Sequence, residues 1–421
     1  MNHSYPALHH KNGDSGRCTV EQFVFANDSV PRPLVRLRWW SWWSWQSWRP
    51  WSQDYIVWLL DTIAYRAESC PQTPQIPQTP HETSSPWHAE VVACVFTSPR
   101  DDIGHHVAAV AAAIGLDGKM GKDLEVKARI AARLQPFLYS VVRDHSMALE
   151  VPLPKLPNND IVQRLCLAPT DEDGISRQTV VTSPHTVQEG TVLYPFVVGL
   201  GQQKGCVSME TRLVGPQGWL VISDIDDSIK HTQTSEWTGI LRTTFAEEPR
   251  PIAGMPAFYA HLHQQLIPAW IYLSASPYNL YPFLRQFLRS FYQPGTLMLR
   301  ENSWQDLNSI GKMWTEGTQA YKEERMDQIH RWLPQRNVLS VGDSTQSDPE
   351  AYGTIYRKYP GWIRAIYIRR VTDIPHMERR NSEHRFQAAF HDVPESVWKV
   401  FDDPEEMYAL IDQLKQEDSV E

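Results

Sequence analysis

The chain has 421 residues, 42% of them hydrophobic and 21% charged, and its net charge is −9. This balance is typical of a globular protein of two or three domains, and it argues against nucleic acid as the main partner. None of the five cysteines forms a CxxC pair, no apolar run approaches the roughly 20 residues of a membrane span, and the first residues lack a signal-peptide core. We therefore expect a cytoplasmic protein without a zinc site or a disulfide framework, whose contact with membranes would be peripheral.

Residues 1–85 are predicted to be largely disordered, and they contain two unusual segments. Residues 32–51 pack tryptophans among Arg, Ser and Gln, a composition that suits a membrane interface. Packing on the folded part, an accident of composition or a wrong gene start are the alternatives. Residues 71–80, PQTPQIPQTP, favour polyproline II; we expect a spacer, with an SH3 ligand as the alternative.

Residues 86–215 are predicted to form an accessory domain with helices and β-strands. Apolar residues at helical spacing predict helices over 105–115 and 124–138. From residue 139 the pattern changes to short runs rich in Val, Leu and Thr, separated by turn residues. These runs predict a small antiparallel β domain resembling a sandwich.

Residues 216–421 alternate between buried strands and amphipathic helices. The alternation predicts a doubly wound parallel sheet, so that the fold class is α/β. Strands are predicted at 219–223, 269–277, 337–344 and 363–371. Helices are predicted at 254–266, 281–291, 322–334 and 349–360, with a last helix starting at Pro404.

The first strand of this region leads into the sequence GWLVISDIDDSIKHT, residues 218–232. Asp224 and Asp226 follow the apolar run directly, at the edge of a parallel sheet where open α/β folds bind ligands. Two carboxylates so close together are unfavourable unless a cation or a proton compensates them.

Other polar residues are expected at the same sheet edge. Ser274 and Ser276 end the second strand, Lys322 starts a helix, and Asp343 and Asp348 follow the third strand. Carboxylates that hold Mg²⁺, a lysine and hydroxyls that bind phosphate, and a carboxylate nucleophile are the components of a phosphoryl-transfer site. The stretch between the first two strands, about 45 residues, is short for a large cap domain, so we expect an open site.

These motifs resemble those of the haloacid dehalogenase superfamily, whose first motif is hhhhDxDx(T/V), with Ser228 here in place of Thr. More narrowly, SDIDDSIKHT, YLSASPYNLYPFLRQFL and VGDSTQSDPEAYGTIYRKYP resemble the fungal actin-patch-type phosphatidate phosphatases over residues 215–375. The resemblance implies an Mg²⁺-dependent enzyme that hydrolyses phosphatidate to diacylglycerol, at membranes or cortical actin patches.

The resemblance also implies a role for each residue. Asp224 would be the nucleophile and Asp226 the general acid and base, with Asp224 and the backbone carbonyl of Asp226 also on the metal. Asp343 would ligate Mg²⁺, with Asp348 as a second ligand or a support for it. Lys322 would neutralise the phosphate, and either Ser274 or Ser276 would bind it.

Several residues of this region have simpler interpretations. We expect Asp227 to cap a turn or to pair with a base such as Lys230, and His231 to be a hydrogen-bonding loop residue. An EF-hand is excluded because Ile229 stands where the loop requires Gly. The alternative functions are a phosphatase for a soluble phosphoester or phosphoprotein, and an adaptor for SH3 proteins at actin or endocytic sites.

Overall fold

The computed structural model describes residues 55–66, 85–98, 103–116, 124–153, 162–183, 187–198, 205–301 and 317–418. The Arg/Trp segment and the proline repeat lie outside these residues, so both remain predictions. Within the described residues, no helix has the length and apolar character required to cross a bilayer.

A six-stranded parallel sheet forms the centre of the C-terminal half. Its strands, in chain order, are β12 Trp219–Ser223, β13 Ala269–Pro277, β14 Thr296–Arg300, β15 Asn337–Asp343, β16 Ile363–Arg369 and β17 Trp398–Phe401. The spatial order is β14-β13-β12-β15-β16-β17, and every neighbouring pair is parallel. The predicted α/β class with a parallel sheet is confirmed. After β12 the chain adds β13 and β14 on one side of it, and then crosses over to add β15 on its other side. At such a change of direction the carboxyl ends of the two strands, here β12 and β15, border a crevice.

Helices cover both faces of this sheet. They are α3 Trp237–Leu241, α4 Met255–Leu266, α5 Tyr281–Phe291, α6 Thr318–Trp332, α7 Asp348–Lys358, α8 Glu383–Ala389 and α9 Tyr408–Asp418. Side chains alternate along β12, so Val221 packs into the core that contains α4 and α5, and Ile222 into the core that contains α6 and α7. Burial on both faces explains why β12 is apolar throughout.

The accessory region contains two helices and two sheets. The helices are α1 Ile103–Ala113 and α2 Leu124–Leu134, close to the predicted positions. The larger sheet has eight strands: β1 Tyr55–Leu59, β2 Thr62–Arg66, β3 Trp87–Thr97, β4 Ser140–Val141, β7 Ile175–Ser183, β8 Val192–Leu193, β10 Gly205–Val207 and β11 Thr211–Leu213. The smaller sheet has three: β5 Ala148–Pro152, β6 Val162–Cys166 and β9 Phe196–Val198. Residues of both sheets share one apolar core, in the manner of a sandwich.

Three expectations for this region need correction. Residues 55–66 are not disordered, because β1 and β2 pair with β3 inside the larger sheet. Residues 87–97 form a long strand, although the sequence predicted helices in this part of the chain and strands only from residue 139. The sheet is not wholly antiparallel, since β1 pairs in parallel with β10, and β2 with β11.

Ion pairs join the accessory sheet to the central sheet's helices. Asp61, between β1 and β2, is buried and accepts from Arg285 of α5 at 2.5 and 2.7 Å. Its backbone N–H also donates to the hydroxyl of Tyr281, at 2.6 Å. Buried charge at this junction is therefore paired and hydrogen-bonded, as burial requires.

Candidate active site

Asp224 and Asp343 lie side by side where β12 and β15 end. The backbone N–H of Asp224 donates to the carbonyl of Val341, 2.8 Å away, so the β12–β15 ladder continues into the acidic motif. The hydroxyl of Ser228 bridges the two carboxylates, at 3.1 Å from Asp224 Oδ2 and 2.8 Å from Asp343 Oδ2. The serine in place of threonine therefore keeps a hydroxyl between the two acids.

Lys322 completes a buried cluster with three carboxylates. Its Nζ lies 2.6 Å from Asp224 Oδ1 and also donates to Asp348 Oδ1. Asp348 begins α7, and its other oxygen accepts from the backbone N–H of Asp343 at 3.0 Å. Oxygens of Asp224, Asp343 and Asp348 lie within 4.8 Å of one another. The structure thus brings together four of the predicted site residues.

The cluster has more negative than positive charge. Burial raises the pKa of Asp224 well above its usual value, and Asp348 and Asp343 add to this while Lys322 opposes it. Burial, with Asp348 nearby, raises the pKa of Asp343 to about 7. Burial disfavours the charge of Lys322, but the attraction of Asp224 and Asp348 outweighs it and raises the pKa of the lysine. Three carboxylates beside one lysine are the oxygen-rich, anionic donor set that Mg²⁺ prefers, so the residues fit such an ion.

Asp226 faces a different set of partners. Its Oδ2 accepts from the hydroxyls of Ser274 at 2.8 Å and Ser276 at 2.9 Å, and its Oδ1 accepts from Thr232 at 2.8 Å. Its side chain is therefore not part of the three-carboxylate cluster that fits a metal. Both serines contact the same oxygen, so the two remain equivalent candidates.

Asp227 organises the loop after β12. It has a positive φ of 64°, and its carboxylate accepts from the N–H groups of Thr232, Gln233 and Thr234 and from the hydroxyl of Thr234, all within 2.7–2.9 Å. The expected capping role agrees with this geometry. Lys230 pairs with the neighbouring Asp226 instead. His231 Nε2 lies 3.8 Å from Asp373 on the loop after β16.

Sequence reasoning missed two partners of Asp226. Lys230 is 1% exposed; its Nζ lies 3.7 Å from Asp226 Oδ1 and donates to the Thr232 hydroxyl at 2.8 Å. Burial lowers the pKa of this lysine, against the attraction of Asp226. No local sequence signal indicates this pairing, because the burial of Lys230 depends on how the loop after β12 folds back.

Thr345 holds Asp343, one of the three carboxylates of the cluster. Its N–H donates to Asp343 Oδ1 at 2.6 Å, and its hydroxyl bonds to the same oxygen. The hydroxyl of Thr234 donates to Thr345 Oγ1 at 2.8 Å, which joins this loop to the loop of Asp227. The two loops that carry the acidic residues are thus fixed to each other.

Residues 219–370 match the family described as "Phosphatidate phosphatase APP1, catalytic domain". This segment is therefore similar to the catalytic domain of that family. The match spans β12 to the end of β16 and includes every predicted site residue, so the resemblance predicted for residues 215–375 is confirmed.

Two curated relatives are also similar to part of the chain. Phosphatidate phosphatase APP1 of Saccharomyces cerevisiae is 32% identical over 169 residues, which are 38% of this chain and 28% of the yeast protein. An uncharacterized protein of Schizosaccharomyces pombe is 26% identical over 167 residues, 38% of this chain and 27% of that protein. The chain thus matches little more than a quarter of the length of either relative. A solved carbohydrate esterase structure aligns with a TM-score of 0.20 and 9% identity, covering 87% of this chain and 97% of the esterase, which is too weak to bear on the fold.

Proposed function

We propose that this protein is an Mg²⁺-dependent phosphatidate phosphatase that releases phosphate and diacylglycerol through an aspartyl-phosphate. The observation that carries the proposal is the pairing of Asp224 with buried Lys322, beside a second carboxylate, Asp226, held by hydroxyls. The proposed substrate is the one that the family and the yeast relative are described as hydrolysing, phosphatidate. We further propose a haloacid dehalogenase-like catalytic domain at 216–421 and an accessory domain that extends the predicted 86–215 to include residues 55–66.

In the proposed first step, Asp224 supplies the nucleophilic oxygen. Its carboxylate attacks phosphorus, the bond from phosphorus to the glycerol oxygen breaks, and Asp226 donates a proton to that oxygen. Lys322 offsets negative charge on Asp224 and on the phosphoryl oxygens. The hydroxyls of Ser274 and Ser276 orient Asp226, and either one could turn to a phosphoryl oxygen.

In the second step, water hydrolyses the aspartyl-phosphate. Asp226, now a carboxylate, accepts a proton from water while the water oxygen attacks phosphorus and Asp224 departs. Asp224, Asp343 and Asp348 would hold Mg²⁺, which when bound screens the charge between the phosphate and the nucleophile. Thr345 and Ser228 keep the carboxylates of the set in place.

Cellular context is also part of the proposal. We propose a cytoplasmic enzyme that visits membranes or cortical actin patches, with residues 71–80 as a spacer and binding of SH3 proteins by these residues as the alternative. Deleting 71–80 should leave capture by immobilised SH3 domains unchanged, and deleting 32–51 should reduce flotation with liposomes. Capture that depends on 71–80 would favour the alternative, and unchanged flotation would reject the membrane assignment.

Phosphate release with Mg²⁺ tests the activity. Phosphatidate in detergent mixed micelles should be hydrolysed, and Asp226→Asn should lose at least a hundredfold in rate, in line with the loss of a general acid. Asp412→Asn, which removes an exposed carboxylate paired with His261, is the matched control and should retain full activity. Efficient hydrolysis of soluble phosphoesters with no hydrolysis of phosphatidate would reject the lipid assignment.

A further inference from the structure

A large polar cavity adjoins the loops that carry the acidic residues. Its volume is about 1110 Å³, and Thr234 and Ser347 line one side. Thr234 bonds to both Asp227 and Thr345, and Ser347 immediately precedes Asp348. The cavity is therefore built on the same loops as the carboxylate cluster.

A second wall of the cavity comes from the connection between β16 and α8 and from the first turn of α8, and it is rich in basic residues. They are His376, Arg379, Arg380, His384 and Arg385, with Glu378 among them. Arg385 is already neutralised, because it forms two hydrogen bonds of 2.8 and 2.9 Å with Glu350. Arg379 and Arg380 together outweigh Glu378, so this wall has a net positive charge in a chain whose overall charge is −9.

Arg380 is the partly buried arginine of this wall for which the described residues provide no ion-pair partner. It is half-buried, and it forms no ion pair with any carboxylate of the described residues. Arg385 lies next to it and donates to its carbonyl at 2.9 Å. Burial and Arg385 lower the pKa of Arg380, and Asp343 is near enough to oppose this electrostatically. A partly desolvated arginine without a partner is unfavourable, and its planar fork is suited to a phosphate or carboxylate.

The chemistry of the lining limits what can bind. All lining residues in the described part of the chain are polar or charged, with no aliphatic or aromatic side chain other than the imidazoles. The described lining offers an acyl chain no apolar side chain, and hydrophobic stabilisation depends on apolar surface. A phosphomonoester headgroup matches both the polarity and the charge.

We propose that the phosphomonoester headgroup of the substrate binds at the boundary between this cavity and the carboxylate cluster, with Arg380 on the phosphate from the cavity side, Asp224 on it from the cluster side, and the acyl chains outside. The inference rests on the proposed function, since it assigns the substrate's own phosphate to this boundary. Arg380 thereby selects phosphomonoesters over neutral headgroups. A bidentate arginine–phosphate contact contributes on the order of 1.5–3 kcal/mol, or about tenfold to a hundredfold in affinity.

The test uses the full chain with Arg380→Gln and, as a matched control, Arg331→Gln. Arg331 is an exposed arginine in the last turn of α6, at the other end of the helix from Thr318, which lines the cavity. Calorimetric binding of inorganic phosphate with Mg²⁺ and the KM for phosphatidate in mixed micelles are measured. Arg380→Gln should weaken both by at least tenfold, and Arg331→Gln should change neither.

The two ligands separate the possible sources of the anion. Wild-type values for both ligands in Arg380→Gln would overturn the proposal. If Arg380→Gln raises only the KM for phosphatidate in micelles, Arg380 contacts neighbouring lipid. If it weakens only the binding of free phosphate, Arg380 binds an unrelated anion. Either result would also overturn the proposal. If Arg380→Gln does not fold, Arg380→Lys decides: it should lose most of the affinity because it lacks the fork, and wild-type affinity would refute the contact. Phosphate binding can be measured without turnover. If the protein does not hydrolyse phosphatidate but binds phosphate in a way that depends on Arg380, only the lipid assignment is rejected.

Discussion

Lys230 offers the sharpest test of how the site holds its proposed acid. Lys230→Met keeps most of the side-chain volume but removes the cation 3.7 Å from Asp226 Oδ1. Removing one partner of a buried ion pair costs about 3–5 kcal/mol. We expect the lower end, about 3 kcal/mol, because Thr232, Ser274 and Ser276 still donate to Asp226.

Urea unfolding of a double-mutant cycle measures this energy. Lys230→Met, Asp226→Asn and the double variant should show a coupling of about 2–3 kcal/mol. Lys358→Met, which breaks an exposed pair with Asp327, should lower the free energy of unfolding far less than Lys230→Met does. Additivity of Lys230→Met and Asp226→Asn to within about 0.5 kcal/mol would refute the pairing.

The same variant also tests proton donation to the leaving group. If Lys230 orients Asp226, Lys230→Met should slow hydrolysis of phosphatidate, whose alkoxide needs a proton, more than hydrolysis of p-nitrophenyl phosphate. Equal slowing of the two substrates would separate Lys230 from the acid step.

Three further results are expected. Gly342→Ala places a Cβ 2.6 Å from Asp348 Oδ2, and it should cost about 1–3 kcal/mol in urea unfolding together with most of the activity. Gly353→Ala is the control: its Cβ meets a carbonyl oxygen away from the site at 2.2 Å, so it should cost stability alone. A similar loss of catalysis per folded molecule in both variants would contradict the placement of Asp348. Asp227→Ala should lower the free energy of unfolding by about 3 kcal/mol, because it loses the loop hydrogen bonds and adopts a positive φ poorly, while a cost under 1 kcal/mol would reject the capping role. Mg²⁺ at a hundred times its Kd should stabilise the protein by about 2.7 kcal/mol in thermal unfolding, and an equal effect in Asp343→Asn would exclude the proposed ligand set.

The central sheet could be predicted largely from sequence because its signals are local. β12, β13, β15 and β16 are continuous apolar runs that end in polar residues, and buried parallel strands require that pattern. Polar residues at these strand ends converge because the strands are parallel. The order of the motifs along the chain was therefore enough to predict that Asp224, Lys322, Asp343 and Asp348 converge.

The features that sequence reasoning missed depend on distant partners. β1 and β2 look isolated within a proline- and tryptophan-rich stretch, and their pairing partners β10 and β11 lie about 150 residues later. The turn residue Asp61 is explained only by Arg285 of α5. β14, with five residues, and β17, with four, are too short to stand out from the adjacent polar segments.

The role of Lys230 was hidden for a different reason. A lysine six residues after Asp224 reads as a solvated loop residue, and its burial depends on how the loop folds back through Asp227. The cavity lined by Arg380 is equally invisible, because its lining comes from separate segments of the chain between Thr234 and Arg385.

The most direct test of the account is the identity of the phosphorylated residue. Phosphatidate labelled in its phosphate is mixed with enzyme and Mg²⁺, the reaction is quenched in acid within one turnover, and protein-bound label is mapped by mass spectrometry. The account predicts label on Asp224 in the wild type, and neither label nor phosphate release in Asp224→Asn. Turnover that continues in Asp224→Asn, or wild-type label on another residue, would contradict it.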